Sequence, residues 1–461
     1  MTKSHSDDDR DDTHHHRSAR QRLSRIAGQL GGALVPVQAQ PSSARRRDHH
    51  NHPPNERALS ISKALGGVVS SSTSSSLRGG TSNTPNPHLI SSTAHWKDVP
   101  LPRYRDLPKE GGFPGCAWNV WGKGDALGTL NLLEDHVRAK AAREEIRSGI
   151  SITLSWPMHL PLYSAFNRAG LQHKAWGKSG EYYHSHRSAA LHSLRVAGEA
   201  VEDRSEPSDR TLAAVSDDEV HFNTQCGSQW DGFAHFGHLS LNCFYGGRTR
   251  KDVQDWFQTT KTPASMDISP PPPLSIHSWA QKGIAGRGVL LDIYGFLTRN
   301  NNDTPPYDPF TSHAITLDVI RSCARAQGVV FRQGDILILR TGWIHRYYSA
   351  TDTERREVAV AKHGYVGVEQ GDHVCEFLWD THFAAVASDA PAFERWPCPM
   401  GSTHLHETLL AMFGMPIGEF FDLEALVKEC QRTRRWTFYL SSWPLNNVGG
   451  VASLANAGAT F

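Results

Sequence analysis

Between positions 221 and 238 the chain gathers side chains that can hold a cation or move a proton: His221, Asn223, Gln225, Gln229, Asp231, His235 and His238. Read as extended backbone, the segment sends odd positions to one face and even positions to the other. The odd face then carries His221, Asn223, Gln225, Gln229, Asp231 and His235, and the even face Phe222, Thr224, Cys226, Ser228, Trp230 and Phe236. A carboxylate supplies anionic charge, a carboxamide a neutral hard oxygen, and an imidazole titrates near neutral pH. Together they point to a divalent-cation site with an acid/base group beside it. Any half-exposed strand alternates polar with apolar, but this one has no Lys, Glu or Arg, the residues that ordinarily coat a solvated face. Gly227, Gly232 and Gly237 let it bend around a ligand.

A second segment, far along the chain, completes the set of donors. A helix carrying His406, Leu409, Leu410 and Phe413 on one side stops at Gly414, and the run that follows is extended and contains Glu419. His406 and Glu419 can therefore return to one point, with His404 as a neighbouring alternative imidazole. Taken alone, this pair reads as two ordinary polar residues at the surface.

These groups need a scaffold, and the rest of the chain offers one. Of 461 residues only 38% are hydrophobic, below the roughly 45–50% usual for globular domains. The dilution lies in residues 1–95, which are rich in Ser, Arg, Asp and His and hold twelve basic against seven acidic side chains. Such a segment cannot bury enough apolar surface to offset its ordering entropy, so the sequence predicts a disordered tail. His14–His16 and the pair His49 and His50 within it read as solvated residues, since nothing nearby fixes their geometry.

Beyond the tail, residues 96–461 read as a single catalytic domain. A helix is expected over 125–149. Strands are expected over 150–156, 288–294, 335–341, 384–388 and 436–441, with helices over 275–282, 316–327, 374–380, 405–413 and 423–430. Interleaved strands and helices predict a mixed α/β domain around one central sheet. The stretches 199–219 and 270–273 read as surface loops.

A formal charge of +1 gives no electrostatic case for nucleic acid. There is no run of about 18 apolar residues to span a membrane, and no signal peptide is legible at the start. Seven widely spaced cysteines without a CxxC pattern suit reduced, mostly buried thiols in a reducing compartment, hence the cytoplasm.

The residues quoted above resemble the metal-dependent cyclase family, which includes bacterial kynurenine formamidases and isatin hydrolases. That family's signature, His-x-Gly-Thr-His-x-Asp-x-Pro-x-His, has the spacing of Gln225-x-Gly227-Ser228-Gln229-x-Asp231-x-Phe233-x-His235. Further matches run in order through Trp121, Gly128, Asn131, Asp292, Arg340, Asp389, Pro391, the His406–Glu419 segment and Pro444–Gly450. The resemblance implies a swivelling β/β/α-type domain, with a mixed sheet or barrel-like β core flanked by helices.

It also implies a divalent ion held at Gln225, Gln229, Asp231, His406 and Glu419, with His235 as acid/base. Trp230, Phe233, His238 and Trp121, together with Trp118 and Phe236, would frame a flat small-molecule substrate, although ordinary core packing accounts for each aromatic taken singly. Gln stands at the first two ligand positions in place of His, and a carboxamide oxygen suits Mn²⁺ better than Zn²⁺. Mn²⁺ is accordingly favoured over Zn²⁺ or Mg²⁺. The activity implied is hydrolysis or closure of a C–N bond (formamide or lactam) or a related ester in a cyclic or aromatic metabolite, as in kynurenine formamidases. The alternatives are a metal-assisted cyclase or dehydratase of a secondary metabolite, and a metal-free binding protein on the same fold. Family members form dimers or tetramers, so a homo-oligomer is expected.

Overall fold

The computed structural model describes residues 97, 99–176, 217–259 and 274–461. The expected tail over 1–95, the loop over 270–273 and most of the loop over 199–219 lie outside the described residues. Asp217–Glu219, the end of that last stretch, belongs instead to the strand Asp217–His221, paired antiparallel with Gln172–Trp176.

A nine-stranded mixed sheet organises the described residues. In chain order its strands are β1 (Ser151–Thr153), β2 (Gln229–Asp231), β3 (Ile284–Asp292), β4 (Ile336–Arg340), β5 (Ala385–Ser388), β6 (Ile417–Glu419), β7 (Thr437–Ser442), β8 (Ala452–Leu454) and β9 (Ala457–Thr460). Their spatial order is β1-β9-β7-β3-β4-β5-β6-β2-β8. Strands β3 to β6 run parallel, and the flanking pairs are antiparallel. Every residue of β3, β4 and β5 is buried. That is the signature of a parallel centre covered on both faces, and it explains why these strands read as continuous apolar runs without alternation.

The crossovers between the parallel strands contain helices whose starts are capped by side chains, one at the expected Thr316 and one, not expected, at Thr351. Thr316 caps Leu317–Ala326 by accepting from the Val319 amide, and Thr351 closes a capping box with Glu354 at the start of Asp352–Ala359. Arg287 on β3 is buried yet paired, 2.8 Å from Asp335 and 3.2 Å from Glu145, as a buried guanidinium must be.

Two local expectations are corrected. The run 125–149 is not one helix: Gly128–Leu132 is a 3₁₀ turn and only Asp135–Glu145 is α-helical. Asp125 accepts from the amides of Leu127 and Gly128 and from the Asn131 carboxamide. That local bonding competes with helical continuation.

The polar segment 221–238 is not one extended strand either. Strand geometry covers only its first residue and Gln229–Asp231, with turns where Cys226 N bonds Asn223 O and His235 N bonds Gly232 O. The physical reason lies at its glycines. A Cβ at Gly232 would lie 2.5 Å from Val451 O, and one at Gly227 would lie 2.8 Å from Leu160 O. The chain turns there against neighbouring backbone that admits no side chain.

Candidate functional site

Strand β2 lies between β6 and β8, and its register does the first part of the assembly. Glu419 pairs with Gln229 and Ile417 with Asp231 across the antiparallel ladder. Directly opposed residues on one face bring their side chains together, and the Gln229 Nε2 donates to Glu419 Oε2 at 2.7 Å. Close approach of β6 to its surroundings depends on Gly418, where a Cβ would meet Ala387 Cβ at 2.8 Å and the Trp230 ring at 3.0 Å.

His406 arrives from a different element. It stands at the start of the π-helix Glu407–Phe413, which is buried throughout and ends at Gly414 in the left-handed region. Its Nε2 lies 3.2 Å from Glu419 Oε1 and 3.7 Å from Asp231 Oδ2. The ligand atoms of Asp231, His406 and Glu419 all fall within 4.8 Å of one another, and all three residues are buried. Gln225 comes in from the turn before β2 and donates through Nε2 to Asp231 Oδ1 at 2.7 Å. His235, on the turn after β2, places Nε2 at 3.9 Å from the same oxygen. Of the six odd positions, Gln225, Gln229, Asp231 and His235 converge, through turns and cross-strand register and not through one long alternating strand. His221 is exposed in the strand paired with Gln172–Trp176, and Asn223 accepts through Oδ1 from the Gln225 amide at 2.9 Å.

The electrostatics are those of a cluster short of positive charge. Burial opposes ionisation of Asp231, yet the attraction of His235 and His406 exceeds it and holds the carboxyl below its usual range. Burial, then the charge of Asp231, push Glu419 up. For His406 burial favours the neutral ring, but the neighbouring carboxylates of Asp231, Glu394 and Glu419 outweigh it and raise the imidazole well above its ordinary value. His235 goes the other way, lowered by burial that Asp231 offsets only in part. Asp231 Oδ2 and Gln229 Oε1 are buried with no hydrogen-bond partner. Unsatisfied oxygens at such depth are costly, and a cation would satisfy them.

Glu394 is the residue that sequence reasoning missed. Fully buried, it accepts from His406 Nδ1 at 2.8 Å and from the backbone amides of Leu405 and His406. A lone Glu between Phe393 and Arg395 carries no periodicity or motif that marks it. Its side chain also lies beside Cys398 and His404, the ligand atoms of the three being within 4.8 Å of one another.

Of the aromatic residues expected to frame a substrate, Trp230 is fully buried and donates to Ser442 Oγ at 2.9 Å. Phe233 is buried against Tyr245 and Trp279. His238 is buried beside Phe113 and Glu407. Trp121 is also buried. Phe236 lies nearer the cluster, its ring 5.4 Å from that of His406.

This architecture has known relatives. The family described as Putative cyclase matches residues 150–395, more than half of the chain, and the chain belongs to that family. Among solved structures, one described as a novel cyclase aligns over 75% of this chain and 99% of its own, at 23% identity and a TM-score of 0.57. That likeness is one of fold. Isatin hydrolase A from Ralstonia solanacearum aligns over 70% of this chain and 95% of its own, at 14% identity and a TM-score of 0.41. Isatin hydrolase A from Labrenzia aggregata covers 72% of this chain and 98% of its own, at 11% identity and a TM-score of 0.40. A comparison with curated proteins gives no match. Among the described residues no helix is long and apolar enough to cross a membrane, and all seven cysteines are free thiols.

Proposed function

We propose that this chain is a metal-dependent hydrolase or cyclase acting on a C–N bond, or a related ester, in a small cyclic or aromatic metabolite, in the manner of kynurenine formamidases. The observation that carries the reading is the buried convergence of Asp231, His406 and Glu419, with Asp231 Oδ2 left unpartnered. Asp231, His406 and Glu419 would hold the ion, with the carboxamide oxygens of Gln225 and Gln229 completing its shell. Such an ion polarises a carbonyl and lowers the pKa of water beside it.

The protein's own groups supply the proton movements. His235, whose charged form burial disfavours, would accept a proton through Nε2 from attacking water and return it to the departing nitrogen. Asp231, on its inner side at 3.9 Å, steadies the imidazolium formed in between. Glu394 fixes His406 by taking Nδ1–H, which leaves Nε2 directed at the two carboxylates.

Two neutral oxygen donors in place of imidazoles favour Mn²⁺ over Zn²⁺. The family resemblance and the reduced thiols support a cytoplasmic homo-oligomer. The test is metal analysis of the purified protein together with turnover of formylated anilines, lactams and lactones under added Mn²⁺, Zn²⁺ or Mg²⁺. Activation by a divalent ion that Asp231→Ala and His235→Ala both abolish is expected. No bound or activating ion, with His235→Ala behaving as the parent, would leave the metal-free binding protein as the better reading.

A further inference from the structure

The partly exposed residues around the buried cluster form a closed circuit of contacts. From His406 it passes to Phe236, ring centroids 5.4 Å apart, then to His404 at 5.7 Å. His404 meets Trp396 at 5.5 Å and Trp396 meets Phe166 edge-on at 5.3 Å. The Arg168 guanidinium lies 5.1 Å from the Phe166 centroid. It closes the circuit by donating from Nη1 to Gln225 O at 2.8 Å, and Gln225 in turn reaches Asp231. The members next to Asp231, namely His406 and Gln225, are buried, while the outer rim of Phe236, His404, Trp396, Phe166 and Arg168 is partly exposed, with Phe166 37% exposed.

Arg168 is the charged member of that rim. Among the described residues it makes no ion pair, and its Nε and Nη2 make no hydrogen bond, so one edge of a planar fork remains available. Its loop is held in place at a conformational cost. Phe166 and Asn167 are consecutive non-glycine residues at φ 57° and 56°, a region such residues rarely occupy without a surrounding structure that imposes it. Asn223 N bonds Ala169 O at 3.1 Å, tying the loop to the segment that carries Gln225.

The geometry points to an anion subsite: Arg168, backed by the Phe166 and Trp396 rings, selects planar aromatic substrates that carry a carboxylate. The inference rests on the functional reading above and specifies its substrate class. A free guanidinium edge matches a carboxylate bidentately, and aromatic walls accept a flat ring edge-to-face. With Asp231, Glu419 and Glu394 all buried, an anionic substrate also needs a cation at the entrance to offset repulsion, and Arg168 is placed to provide it.

The test compares Mn²⁺-loaded parent protein with Arg168→Gln and Arg168→Lys, measuring calorimetrically the binding of benzoate and of its neutral counterpart benzamide. The parent is expected to prefer benzoate by about tenfold or more, as a charge-assisted pair implies. Arg168→Gln is expected to lose that preference while keeping its benzamide affinity, which also reports an intact fold, and Arg168→Lys to recover part of it. Equal binding of the two ligands by the parent, or undiminished benzoate preference in Arg168→Gln, would overturn the subsite. Either result leaves turnover of neutral amides untouched, and a failure of turnover leaves the benzoate measurement standing, so the two readings fail separately.

Discussion

Glu394 and His406 are twelve residues apart in the chain and joined twice in space, through the imidazole Nδ1 at 2.8 Å and the His406 amide at 2.9 Å, both ending on the same Glu394 oxygen. The ring is thereby fixed in one orientation, with Nε2 aimed at Asp231 and Glu419. A ligand imidazole held by a buried carboxylate is pre-oriented and made more basic.

Replacing that carboxylate removes both effects. Glu394→Gln is expected to weaken Mn²⁺ binding about 10- to 100-fold and to lower stability by about 1–3 kcal/mol, because two backbone amides lose a charged acceptor. Metal titration and chemical denaturation of the variant check the two parts separately. Unchanged metal affinity would mean that Glu394 serves only the fold.

Cation binding should be strongly pH-dependent. His406 is raised well above its ordinary value and Glu419 is also raised, so protons would compete at the atoms proposed to hold the cation. Protonation competes with the ion, so affinity rises with pH through the neutral range and protons are released on binding. Calorimetric titration of the chelator-stripped protein in buffers of different ionisation enthalpy measures the release directly. Affinity that is flat between about pH 6 and 8 would contradict the assignment of these groups as ligands.

The two carboxamides make metal preference adjustable. Gln225→His combined with Gln229→His is expected to shift selectivity toward Zn²⁺ by about tenfold or more relative to Mn²⁺, since imidazole is the softer donor. Competition of the two ions for the parent and the double variant gives the ratio. An unchanged ratio would place the carboxamides outside the coordination shell.

At Gly418 the prediction concerns the scaffold. A Cβ there runs into Ala387 and Trp230, so Gly418→Ala is expected to cost about 1–3 kcal/mol through overpacking. Because Gly418 precedes Glu419, metal affinity should fall as well. A urea midpoint equal to that of the parent would show that the neighbouring side chains yield without strain.

Much of the scaffold was legible from local pattern. The buried parallel strands were legible as strand-like runs, although the one expected over 288–294 is Ile284–Asp292, with residues 293 and 294 opening the helix Ile293–Asn300. Ser275, Thr316 and Gly414 marked helix ends that the structure keeps. Gln225, Gln229, Asp231 and His235 stood out because their segment has no Lys, Glu or Arg, whereas His406 and Glu419 joined them through the family resemblance. Their apparent logic was wrong in one respect, since an eighteen-residue alternation stood in for a three-residue strand between two turns.

What composition and spacing determine here is an α/β core and a stock of cation- and proton-binding side chains in two segments; the choice of particular ligands and of His235 as acid/base is what the family resemblance implies. Which of them meet was decided by tertiary structure alone. Glu419 faces Gln229 across a strand pair 190 residues apart in sequence. Trp230 and Phe233 are taken up by the core, and an otherwise featureless Glu394 holds the ring of His406. Periodicity reports only which way a side chain points relative to its near neighbours, whereas these contacts depend on strand register and on backbone turns packed against distant segments.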